Sequence, residues 1–198
     1  MLPIGVVGHR FLTELDKVTA GVDEALDRIE AAFGEPLPAV ISSLAEGADR
    51  LVLRRVLARC PDARLIVPLP LPQSDYMKDF SSPESREAFL DLLSRADQVV
   101  TLPPAPTREE AYAAGGYYVL DHCDVLLAVW DGKEGQGTGG TAGIVAEARH
   151  RHLPLTWVHA GNRIPGTRRP TTLGEEQGRV TVERLPAGHS QQGCHNGP

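Results

Sequence analysis

The sequence has few cysteines and none of the spacings that mark a disulfide framework or a zinc site. Cys60, Cys123 and Cys194 are scattered along 198 residues without a CxxC pair. An odd number of cysteines cannot form a closed set of intramolecular disulfides, and a zinc finger needs closely spaced ligands. The cysteine content therefore favours a reducing cytoplasm, and we expect no metal site.

Long hydrophobic runs and an excess of positive charge are also absent. The most apolar window, Val125–Trp130, spans six residues, whereas a membrane helix needs about twenty. The first residues lack the charged and apolar regions of a signal peptide. The formal net charge is −6, and binding to a polyanion depends on clustered lysine and arginine. We therefore expect neither a membrane segment nor a nucleic-acid partner.

Short apolar runs alternate with longer segments of helical periodicity along most of the chain. This alternation is typical of a parallel sheet whose strands are joined by crossover helices. The 41% hydrophobic content suffices for one sizeable core. We predict an α/β fold, with a single Rossmann-like three-layer domain over residues 1–185. Its mostly parallel central sheet is flanked by helices, and residues 186–198 form a disordered tail.

The apolar runs and helical segments can be placed along the chain from their patterns. Strands are predicted at residues 4–8, 39–44, 64–69, 98–102, 124–130 and 154–159, with an edge strand at 179–183. Helices are predicted at residues 12–33, 46–59, 83–95, 108–120 and 141–152. An open parallel sheet binds ligands outside the carboxyl ends of its strands, where loops lead into helices. That rule selects the loops at residues 8–10, 45–49 and 131–141.

The third of these loops follows the most apolar strand and contains Gly132, Gly135, Gly137, Gly139 and Gly140. Glycine lets the backbone approach a ligand closely, and Thr141 is placed to cap the next helix. Amides at a helix start, together with the helix dipole, bind phosphate. The alternative is a flexible surface loop with a threonine cap. No GxxxxGK[ST] pattern is present, nor GxGxxG after the first strand, which disfavours kinase-type and ordinary dehydrogenase functions.

The loop after the first strand contains Gly8, His9 and Arg10. Gly8 permits a sharp turn at the strand end, and Arg10 offers a two-pronged donor for phosphate or carboxylate. The alternative is that Arg10 is a solvated loop residue and His9 a partner of a helix cap. The first loop therefore predicts an anion contact by Arg10 only if the neighbouring loops form a binding site with it.

The remaining candidates are mostly acids. Gly47 allows backbone approach, while Glu46 and Asp49 can accept hydrogen bonds from ribose hydroxyls or a base edge; the alternative is that they only favour the first turn of a helix. For Asp131 there are three alternatives: its carboxylate binds a ribose, it holds a cation, or the residue only starts the turn, as Asp-Gly pairs commonly do. A mobile cover over this pocket is predicted from Tyr76, Asp79 and Phe80.

Taken together, these loops resemble bacterial proteins of the SLOG superfamily. The resemblance rests on IGVVGHR at residues 4–10, SLAEGADRL at 43–51, DVLLAVWDG at 124–132 and GGTA at 139–142. It extends over residues 3–185. The superfamily comprises Rossmann-like domains related to cytokinin-activating LOG phosphoribohydrolases, the DNA-processing protein DprA and molybdenum-cofactor carrier proteins.

The resemblance implies a nucleotide-derived ligand whose phosphate lies on the glycine turn. Hydrolytic LOG members cleave the N-glycosidic bond of a nucleoside monophosphate with an acid after this turn and an arginine on the preceding helix. Here Ile144 occupies the acid position, its neighbour Gly143 cannot substitute, and the arginine position falls near Gly115 or Gly116. The catalytic pair of that reaction is therefore missing.

We accordingly expect a cytoplasmic protein that binds or senses a nucleotide or nucleotide-derived ligand, able to form a homo-oligomer and without another assigned cofactor. The alternative is a nucleotide N-glycosidase that uses a non-standard acid, for which the candidates are Glu46, Asp49 and Asp131. The predicted ligand-binding residues are Gly8, His9, Arg10, Glu46, Gly47, Asp49, Asp131, Gly132, Gly137, Gly139, Gly140 and Thr141.

Overall fold

A computed structural model describes residues 3–34, 39–134, 140–164 and 166–187. It confirms the predicted α/β fold. The strands are β1 Pro3–Gly8, β2 Ala39–Ile41, β3 Arg64–Leu69, β4 Gln98–Thr101, β5 Val125–Trp130, β6 Leu155–His159 and β7 Val180–Glu183. The α-helices are α1 Leu15–Phe33, α2 Ala48–Arg59, α3 Gln73–Tyr76, α4 Pro83–Leu93, α5 Arg108–His122 and α6 Thr141–His150. The predicted tail lies outside the described residues from position 188 onward.

The seven strands form one sheet in the order β4-β3-β2-β1-β5-β6-β7. All neighbouring pairs are parallel except β6 and β7, so the predicted edge strand closes one side antiparallel to β6. The chain moves outward from β1 to β4 and then returns to the other side of β1 as β5. The order therefore reverses between β1 and β5, which is where open α/β sheets bind ligands.

Helices cover both faces of the sheet, which gives the three layers predicted from sequence. On one face α1 packs against α2, and on the other α5 packs against α6. All six residues of β5 are buried, as expected for a central strand covered on both sides. The apolar stripe of α1 is buried, and the helix ends at Gly34 in the left-handed conformation. Within the described residues, no helix is both long and apolar enough to cross a membrane.

Two predicted features are wrong, the end of the second strand and the cover that follows the third. The strand ends at Ile41 instead of Leu44, because the Ser42 hydroxyl donates to Asp49 and accepts from the Leu44 amide, and Leu44 has a left-handed φ of 57°. The predicted mobile cover is also wrong. Tyr76 and Phe80 are buried against Phe89, with ring centroids 5.8 Å and 5.0 Å from its own, because edge-to-face packing of aromatic rings favours a fixed core.

Candidate functional site

A cavity of about 780 Å³ lies at the point where the strand order reverses. Its walls come from the ends of β1 and β5, the loops that follow them, one side of α5 and the first turn of α6. Its volume is within the range of about 300 to 1,000 Å³ that is typical of small-molecule sites. The fold thus supplies an opening at the position where this class of sheet binds its ligands.

Most of the predicted site residues meet at this cavity, but not all of them. Glu46, Gly47 and Gly132 do not line it, and Gly137 and Gly139 lie outside the described residues. The predicted residues that line the cavity are Gly8, His9, Arg10, Asp49, Asp131, Gly140 and Thr141.

The first turn of α6 presents free backbone amides to the cavity. Gly140 is the N-cap and Thr141 the first helical residue, without a side-chain cap, so the prediction that Thr141 caps the helix is wrong by one position. The first helical hydrogen bond runs from the Ile144 amide to the Gly140 carbonyl, 3.2 Å away. The amides of Thr141, Ala142 and Gly143 donate to no atom that the structure describes. Such amides, aligned with the helix dipole, attract an anion.

His9 and Asp131 form a buried pair between the ends of β1 and β5. The Asp131 amide donates to Nε2 of His9 over 3.0 Å, and the Asp131 carboxylate is 3.2 Å from the same nitrogen. Burial lowers the pKa of His9, against the opposing charge of Asp131. The lowered pKa favours the neutral ring, in which Nε2 either accepts from the Asp131 amide or donates to the Asp131 carboxylate, and Nδ1 is a donor or an acceptor accordingly. Nδ1 has no partner among the described residues, so it is available to a ligand.

Asp49 is the most buried acid of the cavity wall, with only 5% of its surface exposed. Its Oδ2 accepts hydrogen bonds from the Ser42 hydroxyl at 2.9 Å and the Ala45 amide at 3.3 Å. Oδ1 has no partner in the described part of the chain. Burial raises the pKa of Asp49 to about 6, although these hydrogen bonds and the charges of Arg50 and Arg10 oppose the rise. Asp49 can therefore exchange a proton near neutral pH.

Glu46, by contrast, is committed to contacts within the protein. Its Oε2 pairs with Arg10 at 3.0 Å, and its Oε1 accepts from the Ser81 amide and from the hydroxyls of Ser81 and Ser85. Burial alone would raise the pKa of Glu46, but these hydrogen bonds and the Arg10 charge lower it to about 2. Glu46 therefore holds Arg10 at the edge of the cavity, and Arg10 also donates to the Asp79 carbonyl at 2.7 Å.

The backbone conformation at position 47 requires glycine, and Gly47 does not line the cavity. It has a φ of 76°, and a Cβ there would lie 2.5 Å from the carbonyl oxygens of both His9 and Arg10. This close approach lets the Ala48 amide donate to the His9 carbonyl at 3.0 Å. The start of α2 is thus satisfied by the loop after β1. Gly132 similarly lies against the ring of Trp157.

Ile144 and Gly116, two of the positions at which the resemblance predicted the loss of a catalytic pair, are neighbours in this fold. Ile144 and Gly116 both line the cavity, and the Ile144 side chain fills the space that a Cβ on Gly116 would occupy. Ile144 is 2% exposed. An apolar contact between α5 and α6 therefore fills this part of the cavity wall.

Sequence reasoning missed several polar residues of the cavity wall, of which Arg108, Tyr112 and Arg163 have described contacts. Arg108 and Tyr112, on the first turns of α5, both bind the Asp79 carboxylate, with Arg108 Nη2 at 2.7 Å. Arg163 lies in the loop after β6, which the sequence shows only as a polar stretch. The rule that ligands bind beyond strand ends would have selected the β6 loop, had it been applied to that strand as well.

No protein-family model matches the chain, and a search of curated proteins finds no match. Within the described residues, no group of three or more His, Cys, Asp or Glu side chains is placed to hold a metal ion. The function is therefore inferred from the geometry of the cavity.

Proposed function

We propose that this protein binds or senses a nucleotide or nucleotide-derived ligand in the cytoplasm, with the ligand phosphate on the first turn of α6. One observation carries the proposal. At the reversal of strand order, one cavity combines the first amides of α6 with two buried polar side chains, His9 and Asp49, and these amides and one atom of each side chain have no partner among the described residues. Membership of the SLOG superfamily stays a prediction.

The phosphate end of the ligand is supported by charge as well as by the amides. Lys133, in the loop that leads to α6, lines the cavity, and no ion pair of Lys133 is found among the described residues. A helix start with free amides and a nearby lysine neutralises a phosphate without a Walker-type loop. Gly140 leaves this space open, because a Cβ at that position meets no described atom within 4 Å.

The remaining wall suits the sugar and base. Asp49 Oδ1 can accept a hydrogen bond from a ribose hydroxyl or a base N–H, and His9 Nδ1 can form a further hydrogen bond to the ligand. The same wall includes apolar surfaces of Val119, Trp130 and Tyr112, which suit the faces of a base. A mostly apolar lining with a few convergent polar atoms is the general form of a small-molecule site.

The contact between Gly116 and Ile144 favours binding over LOG-type hydrolysis, but Asp49 supports a second candidate, a nucleotide N-glycosidase. Its pKa of about 6 suits a general acid that protonates the departing base while water adds to the sugar carbon. Glu46 is a poor acid because its pKa is about 2 and its oxygens are already hydrogen-bonded. Of the acids considered from sequence, Asp49 is therefore the best candidate for that role.

Calorimetric titration with AMP, GMP, CMP and UMP tests the proposal. We expect at least one of them to bind with a dissociation constant in the micromolar range, roughly 1 to 100 μM. Chromatography of the same samples separates the two candidates. Intact nucleotide indicates binding only, whereas released base that disappears in Asp49→Asn indicates the glycosidase. The absence of binding to all four would contradict the proposal.

A further inference from the structure

Three arginines line the cavity, and they differ in whether a carboxylate neutralises them. Arg10 pairs with Glu46 at 3.0 Å, and Arg108 pairs with Asp79 at 2.7 Å and with Asp75 at 3.0 Å. Arg163 forms no ion pair and no side-chain hydrogen bond within the described ranges. Its guanidinium instead lies over the ring of Phe11, 5.1 Å from the centroid.

This contact leaves the donors of Arg163 available. A guanidinium stacked on an aromatic ring keeps its N–H groups at the edge of its plane, and that edge binds phosphate in a two-pronged manner. The surrounding backbone is fixed by a bridge between Arg163 and Pro170 and by hydrogen bonds from the Thr171 hydroxyl to Asn162 and from the Ile164 amide to Arg169, both 2.9 Å. Arg163 is thus a cation with free donors on an ordered support.

Arg163 and the start of α6 belong to different segments of the cavity wall, the loop after β6 and the turn that follows the β5 loop. Gly140 leads into α6, which shares its face of the sheet with α5, whereas Phe11 leads toward α1 on the opposite face. One phosphate bound to the amides of α6 leaves Arg163 without an anion. A ligand that satisfies both elements needs a second anionic group.

We propose that Arg163 is a second anion subsite of this cavity, and that the ligand is a nucleotide with more than one phosphate. This inference rests on the proposed nucleotide function. The second phosphate lies either along a phosphate chain, as in ADP or ATP, or on the sugar, as in adenosine 3′,5′-bisphosphate. The chemistry that Arg163 recognises is the same in both.

The test is calorimetric titration of the full chain and of Arg163→Gln with AMP, ADP, ATP and adenosine 3′,5′-bisphosphate. For the unchanged protein we expect at least one of the three polyphosphorylated probes to bind about tenfold or more tightly than AMP, the effect of a charge-assisted contact. Arg163→Gln should remove that preference, and it should weaken AMP binding much less than it weakens binding of the preferred probe, since Arg163 would not contact the first phosphate. The probe whose tighter binding is lost in Arg163→Gln shows whether the second phosphate lies along a phosphate chain or on the sugar.

Arg179→Gln is the matched control, because Arg179 is an exposed arginine that pairs with Glu176 at 2.6 Å and does not line the cavity. It should keep the preference. If the unchanged protein binds AMP as tightly as every polyphosphorylated probe, or if Arg163→Gln keeps the preference, the second subsite is wrong and the proposed function stands. If no nucleotide binds to the unchanged protein, both are wrong.

Discussion

Replacing Gly140 with aspartate should abolish nucleotide binding while leaving the fold slightly more stable. An aspartate at the N-cap of α6 would accept hydrogen bonds from the amides that we assign to the ligand phosphate and would add a negative charge there. The backbone allows it, with φ −87° and ψ 167° at Gly140. Loss of two charge-assisted hydrogen bonds predicts an affinity reduced by about 100-fold or more, measured by calorimetry with the nucleotide that binds the unchanged protein.

Two further variants at position 140 distinguish the effect of the added negative charge from the effect of a larger side chain. Gly140→Ala adds a Cβ that meets no described atom within 4 Å, so it should keep most of the binding. Gly140→Asn occupies the amides without a charge and should fall between alanine and aspartate. Chemical unfolding should show Gly140→Asp at least as stable as the unchanged protein. Full nucleotide binding by a stable Gly140→Asp protein would exclude a phosphate at the start of α6.

Replacing Asp49 with asparagine should change how stability depends on pH. Because burial raises the pKa of Asp49 from 3.8 to about 6, its contribution to stability is fully present below about pH 3.8 and is lost as pH rises through about 6. The loss is on the order of 3 kcal/mol. Asparagine can still accept from Ser42 and Ala45 but does not ionise. Relative to the unchanged protein, Asp49→Asn should therefore gain about 2.5 kcal/mol between pH 4 and pH 7.5, since part of the loss has already occurred at pH 4.

Urea unfolding of both proteins across this range measures the difference directly. The two proteins must be compared at each pH because His9 also titrates in this range. Burial lowers the pKa of His9, so His9 makes the free energy of unfolding rise with pH, whereas Asp49 makes it fall. Subtracting one protein from the other removes the contribution of His9. Glu46→Gln is a control in which stability should depend on pH in the opposite direction. The pKa of Glu46 is lowered to about 2, so its contribution is present above about pH 4.5 and lost toward pH 2. That variant should be destabilised at neutral pH, and a pH-independent difference for Asp49→Asn would refute the raised pKa.

The fold could be predicted from the sequence because its signals are local and repeated. The apolar run of β5 predicted a central strand, and the stripe of α1, ending at Gly34, predicted a helix packed on the sheet. Parallel strands bring their carboxyl ends to one edge, so the loops after β1, β2 and β5 were expected to meet there. The structure places residues of all three loops on one cavity.

The roles of individual side chains could not be predicted, because they depend on partners that are distant in sequence. The bonds of Glu46 come from Ser81 and Ser85, 35 and 39 residues away, and nothing near Glu46 indicates them. The pKa of Asp49 depends on tertiary burial. The stacking of Arg163 on Phe11 joins the loop after β6 to the loop after β1. The N-cap of α6 is Gly140 and not Thr141, because sequence patterns place a helix boundary only to within one or two residues.

The position of a bound phosphate tests the central claim most directly. A crystal structure of the protein with its tightest-binding nucleotide should show phosphate oxygens about 3 Å from the backbone nitrogens of Thr141 or Ala142. The sugar or base should contact Asp49 or His9. A nucleotide bound elsewhere on the chain, or in the cavity with its phosphates away from the first turn of α6, would contradict the claim.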